Sequence, residues 1–174
     1  MKYIFLFFLA FIFSAKLNAQ KLNVKIDPYL KTEVKWTDNE KLYEKLIQRV
    51  YVNLTKIDND YIIKFEKYNG DLLKFDVYSI AKNDLGIILL KSGDTAVIKS
   101  TSYQNSDIQY NASEYKHQYY IAESSLNKMM DDYPVSIRFY DIKGSSHELL
   151  WKESKSLIIP NQIRLMFNLP LLEN

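Results

Sequence analysis

Two histidines, His117 and His147, are the only imidazoles in the chain, and there is no cysteine. The histidines fall in no H-E-x-x-H or H-x-H spacing that would aim two ring nitrogens at one metal ion. Without cysteine there is no thiol nucleophile, no thiolate metal site and no disulfide. A G-x-S-x-G elbow and an S-x-x-K pair are also missing. Four glycines in the whole chain cannot build a glycine-rich phosphate cradle. Asp131 and Asp132 are neighbours at a helix end and point in different directions. Glycosidase-type chemistry needs two carboxylates about 5–10 Å apart, which Asp or Glu residues from separate strands could still supply in space. The motifs therefore name no catalytic residue, no metal ligand and no cofactor.

Tyrosine carries the stronger signal. Of fourteen tyrosines, Tyr103, Tyr110, Tyr115, Tyr119 and Tyr120 lie close together among Gln104, Asn105, Gln109, Asn111 and Gln118. A phenol offers a flat apolar face and a hydroxyl, and an amide offers a donor beside an acceptor. That mixture suits recognition of a glycan or a peptide. Tyrosine is also a good residue for a half-exposed strand, so the same cluster has a plain structural explanation. Tyr103 and Tyr110, within the polar, turn-rich stretch 101–111, have the better claim to function because binding residues favour loops. A second candidate is Thr95. Asp94-Thr95-Ala96 resembles a short acceptor triplet for O-glycosylation of exported bacterial proteins, at the edge of an expected turn.

The elements that must position these residues centre on Tyr61–Ser100, which reads as two successive β-hairpins. In the first, Tyr61, Ile63 and Phe65 alternate with Ile62, Lys64 and Glu66, and Leu73, Phe75 and Val77 alternate with Lys74 and Asp76 across Asn69-Gly70. A two-residue loop would set the two apolar rows on opposite faces, so an odd-length loop is expected. With Tyr68-Asn69-Gly70 as the loop, Ile63 faces Phe75. With Asn69-Gly70-Asp71, Phe65 faces Phe75 and Lys64–Asp76 and Glu66–Lys74 become cross-strand ion pairs, which favours this register. In the second hairpin Ile87–Leu90 and Ala96–Ile98 are apolar on both faces, as for strands central in a sheet or under a helix. A two-residue Ser92-Gly93 turn would place Lys91 opposite Asp94.

Before the hairpins, Leu22–Ile26 and Val34–Trp36 read as short edge strands around Pro28. Thr37-Asp38-Asn39-Glu40 has the form of a capping box, and Leu42, Tyr43, Leu46, Ile47, Val50 and Leu54 follow at helical spacing. A long helix over 38–54 is expected, although Val50, Val52 and Leu54 also alternate. After the hairpins come a strand at Tyr115–Ala122, a short helix marked by Leu126, Met129, Met130 and Tyr133 and stopped by Pro134, and strands at Val135–Tyr140 and His147–Lys152. The apolar tail from Ser156 is expected to dock, with a short helix near Asn161–Phe167.

Residues 1–19 read as a signal peptide, with Lys2, an apolar run to Ala15 and cleavage after Ala19. The run is too short to span a bilayer comfortably, which takes about 20 residues. Removing Lys2 and Lys16 from 23 basic residues leaves 21 against 21 acidic ones, so no basic balance points to nucleic acid. Residues 20–174 then form one exported domain, periplasmic or extracellular, with no membrane span after cleavage. The expected fold is α+β: a mostly antiparallel, curved sheet of six to eight strands with the long N-terminal helix packed on it and a second short helix. That order of elements resembles cystatin-like and NTF2-like folds. The expected function is a non-catalytic binding module for an envelope protein or glycan, met through the 101–120 stretch and the sheet edge. The alternatives are a small hydrolase using scattered carboxylates with His117 or His147, and an assembly subunit that makes contact through the tail Leu157–Leu172.

Overall fold

The computed structural model describes residues 20–29, 31–45, 48–69, 79–102, 104–109 and 112–173. Twelve strands and two α-helices are found there, and every strand pair is antiparallel. The lead-in alternation forms β1 (Leu22–Ile26) and β2 (Glu33–Thr37), paired with Val24 opposite Lys35.

The long N-terminal helix does not form. Residues expected to make it are two strands, β3 (Glu40–Lys45) and β4 (Gln48–Ile57), with Lys45 opposite Gln48. In β4 the period of two prevails: Val50, Val52 and Leu54 are buried, while Tyr51, Asn53 and Thr55 between them are half-buried. β-Branched residues at 50, 52, 55 and 57 favour that outcome. Thr37, read as a helix cap, instead accepts the Leu54 amide at 2.9 Å through Oγ1 and ties β2 to β4. The resemblance to cystatin-like and NTF2-like layouts falls with the helix, and the strand count exceeds six to eight.

β5 (Asp60–Asn69) follows β4 through Asp58-Asn59, with Asp58 in the left-handed region at φ 52°. Its two edges are taken by β4 and by β10 (Ala112–Ile121), so Phe65 lies between Val52 and His117. The return arm expected at 73–77 lies outside the described residues, and β5 has no edge left for it. β6 is Ser79–Ile80. The second hairpin does form, from β7 (Leu85–Leu90) and β8 (Thr95–Ser100). Its loop is one residue longer than expected, because Leu89 faces Thr95 and Gly93 adopts φ 92° within it. Lys91 therefore does not face Asp94, whose partner is Lys128 at 2.9 Å. The polar stretch expected as a loop contains β9 (Gln104–Gln109), paired with β6 and with the start of β10.

The remaining elements are α1 (Glu123–Asp131), β11 (Pro134–Tyr140), β12 (Ser146–Leu150), one 3-10 turn at Glu153–Lys155, and α2 (Ile158–Met166). The sheet runs β1-β2-β4-β5-β10-β8-β7-β11-β12, with β3 beside β4. It is strongly curled. β10 and β11 are three strand spacings apart in that order, about 14 Å in a flat sheet, yet the His117 and Phe139 rings are 5.0 Å apart. The concave side holds the core, where Phe65, Tyr119, Ile137 and Phe139 meet and Leu126 and Met129 of α1 insert. Ile159, Ile163 and Met166 of α2 are buried as well, so the apolar tail is docked.

Candidate functional site

The curl brings the two histidines into one neighbourhood, with Phe139 between them. His117 lies edge-on to Phe139, and His147 stacks on the same ring at 5.5 Å with 15° between planes. His117 points inward from β10 and is 5% exposed. Burial pushes its pKa down to about 3, and the charges of Lys67 and His147 add to the shift, so the ring is neutral. Its Nδ1 is hydrogen-bonded to the Tyr119 hydroxyl at 3.2 Å. The space beside it, lined by Lys67, Tyr119, Phe139 and Leu149, is about 10 Å³. That is room for one water at most, not for a substrate.

His147 has a different task. Its Nε2 is 3.1 Å from Asp141 Oδ2, and Asp141 Oδ1 accepts the amides of Lys143 and Ser145 at 2.9 Å each. The hydrogen bond from His147 holds the Asp141 carboxyl below its usual range, with help from those amides. The His–Asp pair therefore closes the β11–β12 turn. Among the described residues no group of three or more His, Asp or Glu side chains converges to hold a metal ion.

Of the five tyrosines, Tyr119 and Tyr120 face opposite sides of the sheet. Tyr119 is fully buried on the concave side, where burial, aided by Asp84, raises its pKa far above the usual phenol range. Tyr120, one residue on, faces outward and is 44% exposed. The backbone of Tyr115 pairs with Lys67 and Ser106 in β10. Tyr103 and Tyr110 lie outside the described residues. Thr95 is exposed at the start of β8, as an acceptor would have to be.

Tyr120 belongs to a larger feature. It lines a groove of about 390 Å³ together with Asn59, Asp60, Val97, Lys99 and Glu123. From the groove an apolar strip runs over the convex side of β8 and β7. Tyr120 is opposite Lys99, Lys99 opposite Leu85, and Val97 opposite Ile87. Leu85, Leu89 and Val97 are 45%, 39% and 45% exposed. The sequence showed that these strands are apolar on both sides, which predicted cover on both; the helices cover only one. Asn59 and Asp60 were missed as site residues, and the signal for them was the Asp58-Asn59 turn hidden inside the supposed run from helix to hairpin.

No helix among the described residues is long and apolar enough to cross a membrane. No protein-family model, curated protein or solved structure matches the chain.

Proposed function

We propose that this protein is an exported, non-catalytic binding module of the cell envelope that takes a protein partner on the convex side of β7, β8 and β10. The observation that carries this reading is the apolar strip of Leu85, Leu89, Val97 and Tyr120, continuous with the groove at Asp60, Lys99 and Glu123. Contiguous aliphatic side chains left in water on adjacent strands mark interaction surfaces. A ring of polar groups around them gives orientation, as at the rim of a protein interface. A protein fits better than a glycan, because Leu85, Leu89 and Val97 offer a sugar neither a flat ring nor a hydrogen bond. Export is supported by the leader read at residues 1–19. Burial of Ile159, Ile163 and Met166 of α2 leaves the tail less suited to be the contact.

The test is crosslinking in cells and recovery of the tagged protein from its native envelope, beside a Leu89→Lys/Val97→Lys variant. Both sites are solvent-facing, so the variant is expected to unfold at nearly the wild-type denaturant midpoint. The expected result is one stoichiometric protein partner that the variant loses. Recovery of glycan alone, or the same partner with both proteins, overturns the reading.

A further inference from the structure

We propose a second, separate binding site for a small acidic sugar, in the pocket where Trp151 and Tyr133 meet at one end of the sheet. This site is independent of the convex strip. Three segments converge there: the β7–β8 loop with Lys91, the junction of α1 and β11 with Tyr133 and Pro134, and the stretch after β12 with Trp151, Lys152 and Glu153. The volume of this open pocket is about 170 Å³. Sites for drug-sized ligands run from about 300 to 1,000 Å³, so this pocket suits a single ring.

The walls are fixed before any ligand arrives. The Lys91 amide donates to the Tyr133 carbonyl at 2.8 Å. The Trp151 indole donates to the Pro134 carbonyl at 2.6 Å. Lys91 Nζ reaches Glu153 Oε1 at 3.3 Å and joins two of the segments across the rim. Because binding then orders little of the protein, affinity is not lost to reorganisation.

The chemistry of the lining selects the ligand class. An indole has one hydrogen-bond donor, and Trp151 has used it on Pro134, so the ring offers only its apolar surface. Such a surface takes the C–H face of a sugar ring. Lys91 and Lys152 against Glu153 leave one cation in excess, which matches one carboxylate. Glu153 and the Ser156 hydroxyl accept from ligand hydroxyls. A benzoate-type acid would satisfy the spare lysine and the ring but bring no hydroxyl to Ser156 or to the second oxygen of Glu153, whose first oxygen Lys91 holds. A neutral sugar would leave the spare lysine unmatched.

The probe is D-glucuronic acid, followed by tryptophan fluorescence in the protein carrying Trp36→Phe, which leaves Trp151 as the reporter. Controls are D-glucose and benzoate, and the second protein carries Lys152→Gln as well. Lys152 is exposed, so its replacement leaves the fold intact. The expected result is a saturable change with glucuronate, weakened about tenfold or more by Lys152→Gln and by the use of glucose. The proposal is overturned by no saturable change with glucuronate, by glucose or benzoate binding as tightly, or by Lys152→Gln leaving the affinity unaltered.

Discussion

The Tyr119 hydroxyl and His117 Nδ1 are hydrogen-bonded at 3.2 Å inside the curl of the sheet, with both residues on the same strand two positions apart. Both side chains are buried nearly completely, and the bond gives each a polar partner there. One member of the tyrosine cluster and one of the two histidines of the hydrolase alternative are thereby a matched pair in the core. The pairing also explains why a strand reading Tyr-Lys-His-Gln-Tyr-Tyr can face inward at all. Lys116, Gln118 and Tyr120 face water, and His117 and Tyr119 bring their own partner.

Stability should fall on mild acidification, and His117 should be a main cause. Burial holds the folded-state pKa near 3, below the usual 6.5. A depressed pKa means that the unfolded chain binds the proton first, so its contribution is complete above 6.5 and is lost as pH falls towards 3. The slope across that window is up to about 1.4 kcal/mol per pH unit. Urea midpoints measured between neutral pH and about pH 4 should drop steeply for the wild type and less for His117→Gln. An unchanged slope in the variant would place the acid sensitivity elsewhere.

Thr37 gives a test of the element that the sequence pattern misassigned. Its Oγ1 takes the buried Leu54 amide, and the residue is 1% exposed. Thr37→Val keeps the shape and strands that amide, which costs about 1–3 kcal/mol. Thr37→Ser keeps the acceptor and should recover most of the loss. Equal losses for the two variants would show that the hydroxyl does not matter.

The β7–β8 hairpin, α1, β11 and β12 were legible because their punctuation is local: Ser92-Gly93, Pro134 and Gly144-Ser145-Ser146 each mark a boundary between elements, whereas β9 falls in a stretch that reads as a loop. The region 38–54 was not legible for the opposite reason. Tyr43, Leu46, Ile47, Val50 and Leu54 satisfy a period of 3.6, Val50, Val52 and Leu54 a period of two, and Thr37–Glu40 can cap a helix. What decided between them is non-local. β4 has β5 along its whole length, and that pairing is specified by residues in both strands. The histidine neighbourhood was illegible for the same kind of reason, since His117 and Phe139 meet only because the sheet curls. Tyr119 and Tyr120 could have been separated by the period of two alone, once the strand was placed.

The C-terminal segment should be required for folding. Ile159, Ile163 and Met166 are buried, and Phe167 stacks on Tyr61 at 5.8 Å. Gln162 also donates to the Asp38 and Val52 carbonyls at 3.1 Å each. Three buried aliphatic side chains at about 1.5–3 kcal/mol each amount to a large part of a domain's total stability of about 5–15 kcal/mol. A chain ending at Lys155 should lose cooperative unfolding by circular dichroism and fluorescence. A sharp transition in that truncated chain would mean that α2 is an appendage, and the assembly reading would return.

Gly86 should be the least replaceable glycine among the described residues. A Cβ there would lie 2.8 Å from Ile98 Cγ1 and 3.4 Å from Tyr119 Cε1, so β7 passes the core floor with no room for a methyl group. Ile98 is β-branched and buried, and it cannot swing away without displacing its neighbours. Overpacking of this kind costs about 1–3 kcal/mol, so Gly86→Ala should lower the denaturant midpoint without changing the m-value. Gly86→Ala combined with Ile98→Val removes a methyl group from the side chain in the way and should recover part of the loss. If the single variant were as stable as wild type, the close approach of β7 to Ile98 would not be a constraint on the curl. If the pair were merely additive, the strain would lie against the Ile98 Cγ1 that valine keeps, or against Tyr119.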